Sequence, residues 1–410
     1  MMDITVYTLT SPLHDEKAVN AASEGFIKEI ERHLDGQIKI SGSDFTGYGH
    51  NAFNLIYVRT GGTEGLFQEV FPKLNGRILL LTSGQSNSLA ASMEILSYLN
   101  QKGRSGEIIH GSPEYIAGRI KALYRIEQAR KKLQGCRLGI IGRPSDWLIS
   151  SDPDRIVVKE KLGIDLIDID ITELTSEFLT SKKETLSERA ADIMTDISRK
   201  GPSALEKYVD GAIHIYSCLK KIIEHHSLNG LTLRCFDLLD TIGNTGCLAL
   251  AMLNSEGIPA GCEGDIPALI TMAIGKALTG QCGFQANPSR ISPETGEMLL
   301  AHCTVPFDMV QNCSYNTHFE SGIGIAVHGE MPLGDCTVVK VSGDLSRTFC
   351  CKAELTGNPY EKSLCRTQIT LRLQEKEKCR NYFLTEPIGN HHIVFTGDHT
   401  AIFSSFLSGI

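Results

Sequence analysis

Apolar and polar residues follow two alternating patterns along most of the chain. Short runs of leucine and β-branched residues, such as Asp3–Leu9, Asn54–Val58 and Arg77–Thr82, are typical of buried strands. Between them, stretches such as Glu16–Leu34 place apolar residues every three or four positions, which indicates amphipathic helices. Regular alternation of strand and helix predicts a doubly wound parallel sheet with helices on both faces.

The alternation starts again and later gives way to a different pattern. The run Arg137–Gly142 opens a second cycle of strand and helix, so we expect two Rossmann-like domains, residues 1–135 and 136–290. Beyond them, short β-branched runs separated by glycines predict a third domain, residues 291–410, that is an antiparallel β barrel or sandwich. These runs are Ile323–Val327, Cys336–Val341, Thr367–Leu373 and Ile393–Phe395.

One helix is predicted with well-defined ends in the second domain. Asp265 suits the N-cap position, Pro267 is tolerated in the first turn, and Gly280 closes the helix after Leu278. The positions between are apolar on nearly every face, so the helix should be buried. Because an apolar run flanks it on each side, we expect a βαβ unit with parallel strands.

This topology would gather several reactive side chains at one edge of the sheet. Glu263 and Asp265 follow the first strand, Asn287 follows the second, and His302 ends the apolar run Met298–Ala301. Open α/β sheets bind ligands at the carboxyl ends of their strands. We therefore expect a ligand site here.

Composition excludes several functional classes. The chain has 410 residues and a net charge of −8, which disfavours nucleic acid or an anionic membrane as the main partner. Its N-terminal sequence lacks the basic and apolar segments of a signal peptide, and no run reaches the length of a membrane span. The 13 cysteines include no CxxC pair, so reduced thiols and a cytoplasmic location are expected.

Other catalytic chemistries have little support. The glycine turns after Ile141 and Thr60 match neither GxGxxG nor the P-loop pattern, which disfavours a nucleotide-binding oxidoreductase. No GxSxG is present for a serine hydrolase. The thiols of Cys262 and Cys303 adjoin Glu263 and His302, but nothing marks either as an activated nucleophile.

Carboxylates and imidazoles are the more informative set. Glu263, Asp265, His302 and the pair His391 and His392 are ligands that suit Mn²⁺, Mg²⁺ or Fe²⁺ better than a structural zinc. Each also has an ordinary explanation: a helix cap for Asp265, a core position for His302, a surface loop for the pair. The convergence of several such residues favours a metal site.

The chain resembles the L-fucose/L-arabinose isomerase family over its C-terminal part. The resemblance is carried, in the family's order, by the segments Cys262–Asp265, Leu278–Gly280, Phe284–Pro288, Ala301–Cys303 and Asn390–Phe395. The first 250 residues are similar mainly in architecture, with a softer match at Thr60–Glu64.

The resemblance implies a fold, a cofactor and an activity. It implies two Rossmann-like domains followed by a β barrel, bound Mn²⁺ or another divalent cation, and interconversion of an aldose and a ketose sugar through an enediol. It also implies a trimer or hexamer with active sites at subunit contacts. The metal ligands it implies are Glu263, Asn287, His302 and His391, the last preferred over His392 because the fucose branch has Asn-His here.

Asn287 departs from the family, which has a carboxylate at this position. An amide oxygen can bind a metal but cannot take a proton. Glu263 would then carry the proton transfer, either alone or with metal-bound hydroxide or Asp265. The alternatives are a rearranged or lyase-like reaction on a related sugar, or a non-catalytic sugar-binding or regulatory homologue.

Four further residues are predicted to contact the substrate. Thr63 and Glu64 follow a strand of the first domain, and Trp147, the only tryptophan, follows a strand of the second. His392 adjoins the expected ligand His391. The leading hypothesis is thus a metal-dependent sugar isomerase with Glu263 and Asp265 as its catalytic groups.

Overall fold

The computed structural model describes residues 2–51, 53–181 and 188–410, with only the backbone described at positions 188, 189 and 378. The chain divides into two compact units, Met1–Gln128 and Ala129–Ile410. No helix of the described residues is both long enough and apolar enough to cross a membrane.

The first unit is built on a five-stranded sheet in the order β2-β1-β3-β4-β5, with every neighbouring pair parallel. Its core comprises apolar residues of β1, β3, β4 and α3, with Phe45 and Tyr48 stacked around Tyr7. Its elements are β1 (Met2–Leu9), α1 (Glu16–Glu31), β2 (Gly36–Gly42), β3 (Asn54–Val58), α2 (Glu64–Val70), β4 (Ile78–Leu81), α3 (Ser88–Gln101) and β5 (Gly106–Ile109), followed by α4 (Pro113–Leu133).

The second unit begins with a four-stranded parallel sheet in the order β7-β6-β8-β9. Helices α8 and α10 contribute many of the buried residues packed with this sheet. Its elements are β6 (Arg137–Ile141), α5 (Arg155–Leu162), β7 (Asp165–Ile169), α6 (Ile171–Thr180), α7 (Glu188–Lys200), α8 (Glu206–His225), β8 (Gly230–Leu233), α9 (Asp237–Thr241), α10 (Cys247–Ser255), β9 (Ala260–Cys262) and α11 (Ile266–Thr279).

The same unit continues into a closed antiparallel barrel in the order β10-β11-β16-β15-β14-β17. A two-stranded hairpin of β12 and β13 lies outside the barrel sheet. The elements are β10 (Phe284–Ile291), β11 (Glu297–His302), β12 (Asn312–Asn316), β13 (Ala326–Glu330), β14 (Gly334–Val341), β15 (Thr348–Gly357), β16 (Thr367–Leu373), α12 (Lys376–Thr385), β17 (His392–Thr396) and α13 (Thr400–Leu407).

The predicted fold class is confirmed: two parallel α/β sheets precede a C-terminal antiparallel barrel. The division of the second unit into domains 136–290 and 291–410 stays a prediction. All thirteen cysteines are free thiols, as the sequence indicated.

Helix α11 has the ends that the sequence predicted. The side chain of Asp265 accepts a hydrogen bond from the backbone N–H of Ala268, and Gly280 ends the helix with a φ of +84°. Ile266–Ile274 is buried at every position, so the helix lies inside the unit. A glycine is favoured at position 280 because residues with a Cβ rarely adopt this left-handed conformation.

The predicted parallel pairing across α11 is wrong. Strand β9 pairs with β8, whereas β10 leaves the sheet and pairs antiparallel with β11 and β17 of the barrel. The side-chain amide of Gln285 bonds to the backbone N–H and C=O of Cys262, at 2.9 and 3.3 Å. This side chain satisfies the outer edge of β9, where a further strand would otherwise bind.

Two smaller expectations also need correction. The strand predicted to run from Leu231 to Leu238 ends at Leu233, and Asp237 already begins α9. The strand predicted at Ile323–Val327 instead begins at Ala326. In both cases apolar residues extend beyond one end of the strand, after Leu233 in the first case and before Ala326 in the second.

Candidate metal centre

Glu263 is held in an unusual backbone conformation at the end of β9. Its φ is +64°, in the left-handed region that non-glycine residues seldom adopt. Its C=O accepts from the backbone N–H of Ser145, and the next N–H, of Gly264, donates to the C=O of Leu233. Such backbone strain persists where surrounding bonds fix it, and it is common at functional sites.

Gly264 cannot readily be replaced. Its φ is +72°, and a Cβ there would lie 2.5 Å from the backbone oxygen of Arg143. The two consecutive left-handed residues turn the chain so that the Glu263 side chain leaves β9 and Asp265 begins α11. The sequence Glu-Gly-Asp therefore serves one sharp turn between the sheet and the helix.

Three side chains from distant parts of the sequence meet beyond this turn. Oε1 of Glu263 lies 3.7 Å from Nε2 of His302 and 3.5 Å from Nε2 of His391. His302 ends β11, and His391 immediately precedes β17, so the barrel brings both imidazoles to the carboxyl end of β9. The donor atoms of the three residues all lie within 4.8 Å of one another, and all three residues are buried.

The Nε2 atoms of the two imidazoles have no hydrogen-bond partner among the residues that the structure describes. Nε2 of His302 and Nε2 of His391 are both buried and unpaired. Leaving buried polar atoms unpaired is costly, so such atoms call for an explanation. Donors that share one divalent ion at about 2.0–2.2 Å are roughly 3.0–3.6 Å apart, close to the spacing here. The residues present thus fit a divalent cation.

Asp265 orients His391 from the side opposite to Glu263. Its Oδ2 lies 2.9 Å from Nδ1 of His391, while Oδ1 accepts from the N-terminal turn of α11. With the proton on Nδ1 bonded to Asp265, Nε2 presents its lone pair to the centre. Carboxylate–histidine pairs of this kind fix the ligand tautomer in metal sites.

Lys340 is a second partner of Asp265 that the sequence analysis missed. Its Nζ lies 3.4 Å from Oδ2 of Asp265, and both side chains are fully buried. Burial raises the pKa of Asp265, but the charge of Lys340 and the bond to His391 outweigh burial and hold this pKa below its ordinary value. The signal for Lys340 in the sequence is a lysine inside the apolar strand β14.

The charges at the centre set opposite protonation states for its two imidazoles. Burial lowers the pKa of His391, but Asp265 and Glu263 outweigh it and raise this pKa to about 9. Burial also lowers the pKa of His302, and here the lowering prevails.

Burial raises the pKa of Glu263, but the neighbouring imidazoles of His302 and His391 hold it well below its ordinary value. Because 3.5 Å is long for a hydrogen bond, the attraction between Glu263 and the protonated ring of His391 is mainly one of charge. Glu263 is therefore a carboxylate at neutral pH.

Trp147 contacts the candidate metal centre through Glu263, and its contact with a substrate stays a prediction. Its indole Nε1 donates to Oε2 of Glu263 at 2.6 Å, so the two carboxylate oxygens face different partners. Its ring packs edge-on against Phe236 at 4.9 Å, yet 51% of its surface remains exposed. An exposed indole fixed beside a buried carboxylate offers an apolar face to a ligand.

The remaining predicted residues take varied positions. Asn287 is half-buried in β10, opposite Ala301, and its neighbour Ala286 lies opposite His392. Its backbone thus lies between the segments that carry His302 and His391. His392 is buried with both ring nitrogens bonded, to Tyr382 and to Asn390, which leaves no nitrogen for a substrate.

Thr63 and Glu64 belong to the first unit. Thr63 is buried, its hydroxyl donates to the C=O of Thr60, and Glu64 begins α2. Their contact with a substrate stays a prediction.

The chain is similar to a sulfoquinovose isomerase from Clostridium sp. (strain MSTE9). The two are 23% identical over 233 residues, which cover 55% of this chain and 50% of that protein. The match thus spans about half the length of the curated relative. No protein family model matches the chain.

Proposed function

We propose that this protein is a metal-dependent sugar isomerase that interconverts an aldose and a ketose through an enediol. The observation that carries the proposal is the buried group of Glu263, His302 and His391, with two unpaired imidazole nitrogens directed at one carboxylate. The similarity to a sulfoquinovose isomerase supports the same class of reaction. The resemblance to the L-fucose/L-arabinose isomerases supports a divalent cation as the metal, with Mn²⁺ as the first candidate.

Glu263, His302 and His391 would hold the cation, and Asn287 is a further candidate. Once bound, such an ion supplies the Lewis acid that polarises a sugar carbonyl and its neighbouring hydroxyl. Glu263 is ionised, which suits it to take the proton from the hydroxyl-bearing carbon next to the carbonyl and to return it to the carbonyl carbon, while the hydroxyl proton passes to the carbonyl oxygen. Trp147 fixes one oxygen of this carboxylate and so restricts its orientation.

Asp265 acts in this proposal as a positioning residue. It is fully buried behind His391, and both of its oxygens are engaged by His391, Lys340 and α11. It therefore sets the orientation and tautomer of the imidazole and does not reach the substrate. The proton transfer rests on Glu263 because Asn287 has no carboxylate.

The test combines metal binding with turnover on the purified full-length protein. Mn²⁺, Mg²⁺ and Co²⁺ are titrated calorimetrically, and ketose formation is measured on sulfoquinovose and a panel of aldohexoses and 6-deoxyhexoses. We expect one bound ion per chain and turnover of at least one sugar. Glu263→Gln should abolish tight metal binding and lower turnover by at least about 10³-fold, since it removes a ligand and the base together.

Glu330→Gln is the matched control, because Glu330 is an exposed carboxylate in β13 of the same unit. It should retain both properties. Absence of metal binding together with absence of ketose would overturn the proposal. Light scattering of the same samples measures the trimer or hexamer that the family resemblance implies.

Asn287 favours a second candidate, a sugar-binding protein without turnover. Its motivation is the missing carboxylate at a position next to the two histidine-bearing segments. Sugar binding by the metal-loaded protein with no ketose formed would favour this candidate. Turnover that Glu263→Gln removes would exclude it.

A further inference from the structure

A small recess lies beside the candidate metal centre, and the proposed proton transfer does not use it. It opens between the segment from β8 to α10 and the loop joining β12 to β13. We call it the Phe236–His318 recess; its lining residues are Cys235, Phe236, Leu239, Thr245, Cys247 and His318.

The recess adjoins Glu263 through a continuous series of contacts. Phe236 packs edge-on against Trp147 at 4.9 Å on one side and against His318 at 5.5 Å on the other. Trp147 in turn donates to Glu263. Cys235 lies with its Sγ 3.1 Å from that of Cys262, the residue before Glu263. A ligand with one end at Glu263 would therefore extend along Trp147 toward His318.

Two polar groups of the recess lack partners in the part of the chain that the structure describes. The hydroxyl of Thr245 is buried and makes no hydrogen bond. The imidazole of His318 is bonded through Nδ1, which contacts the hydroxyl and the backbone N–H of Ser321, and its Nε2 makes no hydrogen bond to the described residues. A buried hydroxyl without a partner is costly, so a ligand atom or water is expected to satisfy Thr245, and Nε2 of His318 lines the same recess.

The bonds of His318 fix what it can offer a ligand. A backbone N–H can only donate, so the contact from Ser321 at 3.4 Å makes Nδ1 an acceptor and places the ring proton on Nε2. Burial, with a smaller contribution from the neighbouring imidazole of His302, lowers the pKa of His318 to about 4, so the ring is neutral at pH 7. Nε2–H is then a neutral donor available to the recess.

We propose that the Phe236–His318 recess, which has room for about one water-sized group, is a subsite that binds one hydroxyl of the sugar through Nε2–H of His318 and the hydroxyl of Thr245, while Phe236 and Trp147 contact the neighbouring C–H groups of the sugar. Aromatic faces combined with a few fixed polar groups are typical of sites for small polar ligands. The subsite binds the part of the sugar remote from the reacting carbons. It rests on the proposed function for the identity of the ligand.

Trp147 provides a direct readout, because it is the only tryptophan in the chain and lies between Glu263 and Phe236. Its fluorescence is followed while sulfoquinovose and the hexose panel are titrated into the Mn²⁺-loaded protein. KM and kcat are measured on the sugar with the highest turnover. We expect His318→Ala to weaken binding and raise KM by at least tenfold, with Mn²⁺ affinity within threefold of the natural protein.

Two further variants sharpen the test. His318→Gln retains an N–H donor and should recover part of the lost affinity. Thr245→Val removes the hydroxyl and keeps the shape of the side chain. It should raise KM by about threefold or more. This variant tests the subsite independently if His318→Ala does not fold. His328→Ala is the matched control, because His328 lies in β13 of the same hairpin and bonds to the backbone of Arg366. It should leave KM unchanged.

The outcomes separate the subsite from the proposed function. Turnover in the natural protein with unchanged KM in His318→Ala and Thr245→Val would overturn the subsite and leave the isomerase standing. If His318→Ala weakens sugar binding but the natural protein forms no ketose, the result would support the subsite and exclude the isomerase function. A His328→Ala effect as large as that of His318→Ala would also overturn the subsite, since it would indicate a general loosening of the hairpin.

Discussion

Two neighbouring histidines at the start of β17 are both fully buried, yet they face opposite environments. His391 lies between Asp265 and Glu263, which raise its pKa to about 9 despite burial. His392 lies among aromatic rings, and burial together with the charge of Lys340 lowers its pKa to about 3.

The difference shows that burial alone does not decide the charge of a histidine in this barrel. Desolvation disfavours the charged ring in both cases, and only the adjacent carboxylates reverse it for His391. Because successive side chains of an extended segment point to opposite sides, one position in sequence separates the proposed metal ligand from a packing residue. His392 bonds to Tyr382 and Asn390, while His391 contacts Asp265 and Glu263.

Replacing each histidine by glutamine tests this difference directly and should give the largest effects. His391→Gln removes a ligand and should weaken Mn²⁺ binding by at least about 100-fold, with a matching loss of turnover. His392→Gln should keep Mn²⁺ affinity within threefold but lower the melting temperature, because the hydrogen bonds to Tyr382 and Asn390 are disturbed. Calorimetric titration and thermal unfolding measure the two effects. Equal loss of metal affinity in both variants would contradict the assignment of His391 as the ligand.

Asp265→Asn tests what makes His391 different. The amide can still cap α11, but it loses the charge that orients His391 and neutralises Lys340. Metal affinity should fall by roughly 10–100-fold, as for other partners of metal-bound histidines. Stability should fall too, because removing one member of a buried ion pair leaves the other charge uncompensated.

The double variant Asp265→Asn with Lys340→Met separates the two losses. Removing the buried ammonium should recover much of the melting temperature while Mn²⁺ affinity stays low. Recovery of metal affinity in the double variant would show that Asp265 acts through charge balance with Lys340 and not through His391.

The raised pKa of His391 predicts how metal binding depends on pH. Below about pH 9 both ring nitrogens of His391 are protonated in the metal-free protein, and a metal ion must displace the proton on Nε2. The apparent affinity for Mn²⁺ should therefore rise about tenfold per pH unit between pH 6.5 and 8.5 and level off above 9. Titration in two buffers of different ionisation enthalpy should show about one proton released per ion.

His392→Gln is the control for this pH dependence. With a pKa of about 3, the ring of His392 is neutral throughout this pH range and has no second proton to release. The slope of this variant should equal that of the natural protein. Asp265→Asn should flatten the slope, since loss of the carboxylate lowers the pKa of His391. A flat profile in the natural protein would show that His391 is already neutral or is not a ligand.

Local patterns predicted many of the strands and helices, but they missed β12, β15, α12 and α13 and did not give all of the pairings. The cap at Asp265 and the end at Gly280 fixed α11, because these residues act within a few positions of themselves. The pairing of β10 was beyond such reasoning, since periodicity marks a strand without naming its neighbour. Gln285, a polar residue in an apolar run, was the signal that the edge of β9 is closed by a side chain.

The residues of the candidate site that could be predicted together were those supplied by the family resemblance. Resemblance brought Glu263 together with His302 and His391 across more than a hundred positions, and the structure places these three side chains together. It gave no role to Lys340, Phe236 or His318, because their partners are set by packing between the sheet and the barrel. The backbone strain at Glu263 is likewise visible only in three dimensions.

Asn287→Asp is the mildest change, and it tests the position where the resemblance to the L-fucose/L-arabinose isomerases would imply a carboxylate. Asn287 lies half-buried in β10, between the strand that ends in His302 and the segment that carries His391. If its side chain reaches the metal, an added carboxylate should strengthen Mn²⁺ binding severalfold, because an anionic oxygen binds a divalent cation more strongly than an amide oxygen does. It should also raise turnover, since a second proton-transfer group would then accompany Glu263. Ser289→Asp, two positions further along the same strand, is the control for a general gain in negative charge. Equal effects of the two variants, or no effect of Asn287→Asp, would place Asn287 outside the ligand set and leave Glu263, His302 and His391 as the protein's whole contribution to the centre.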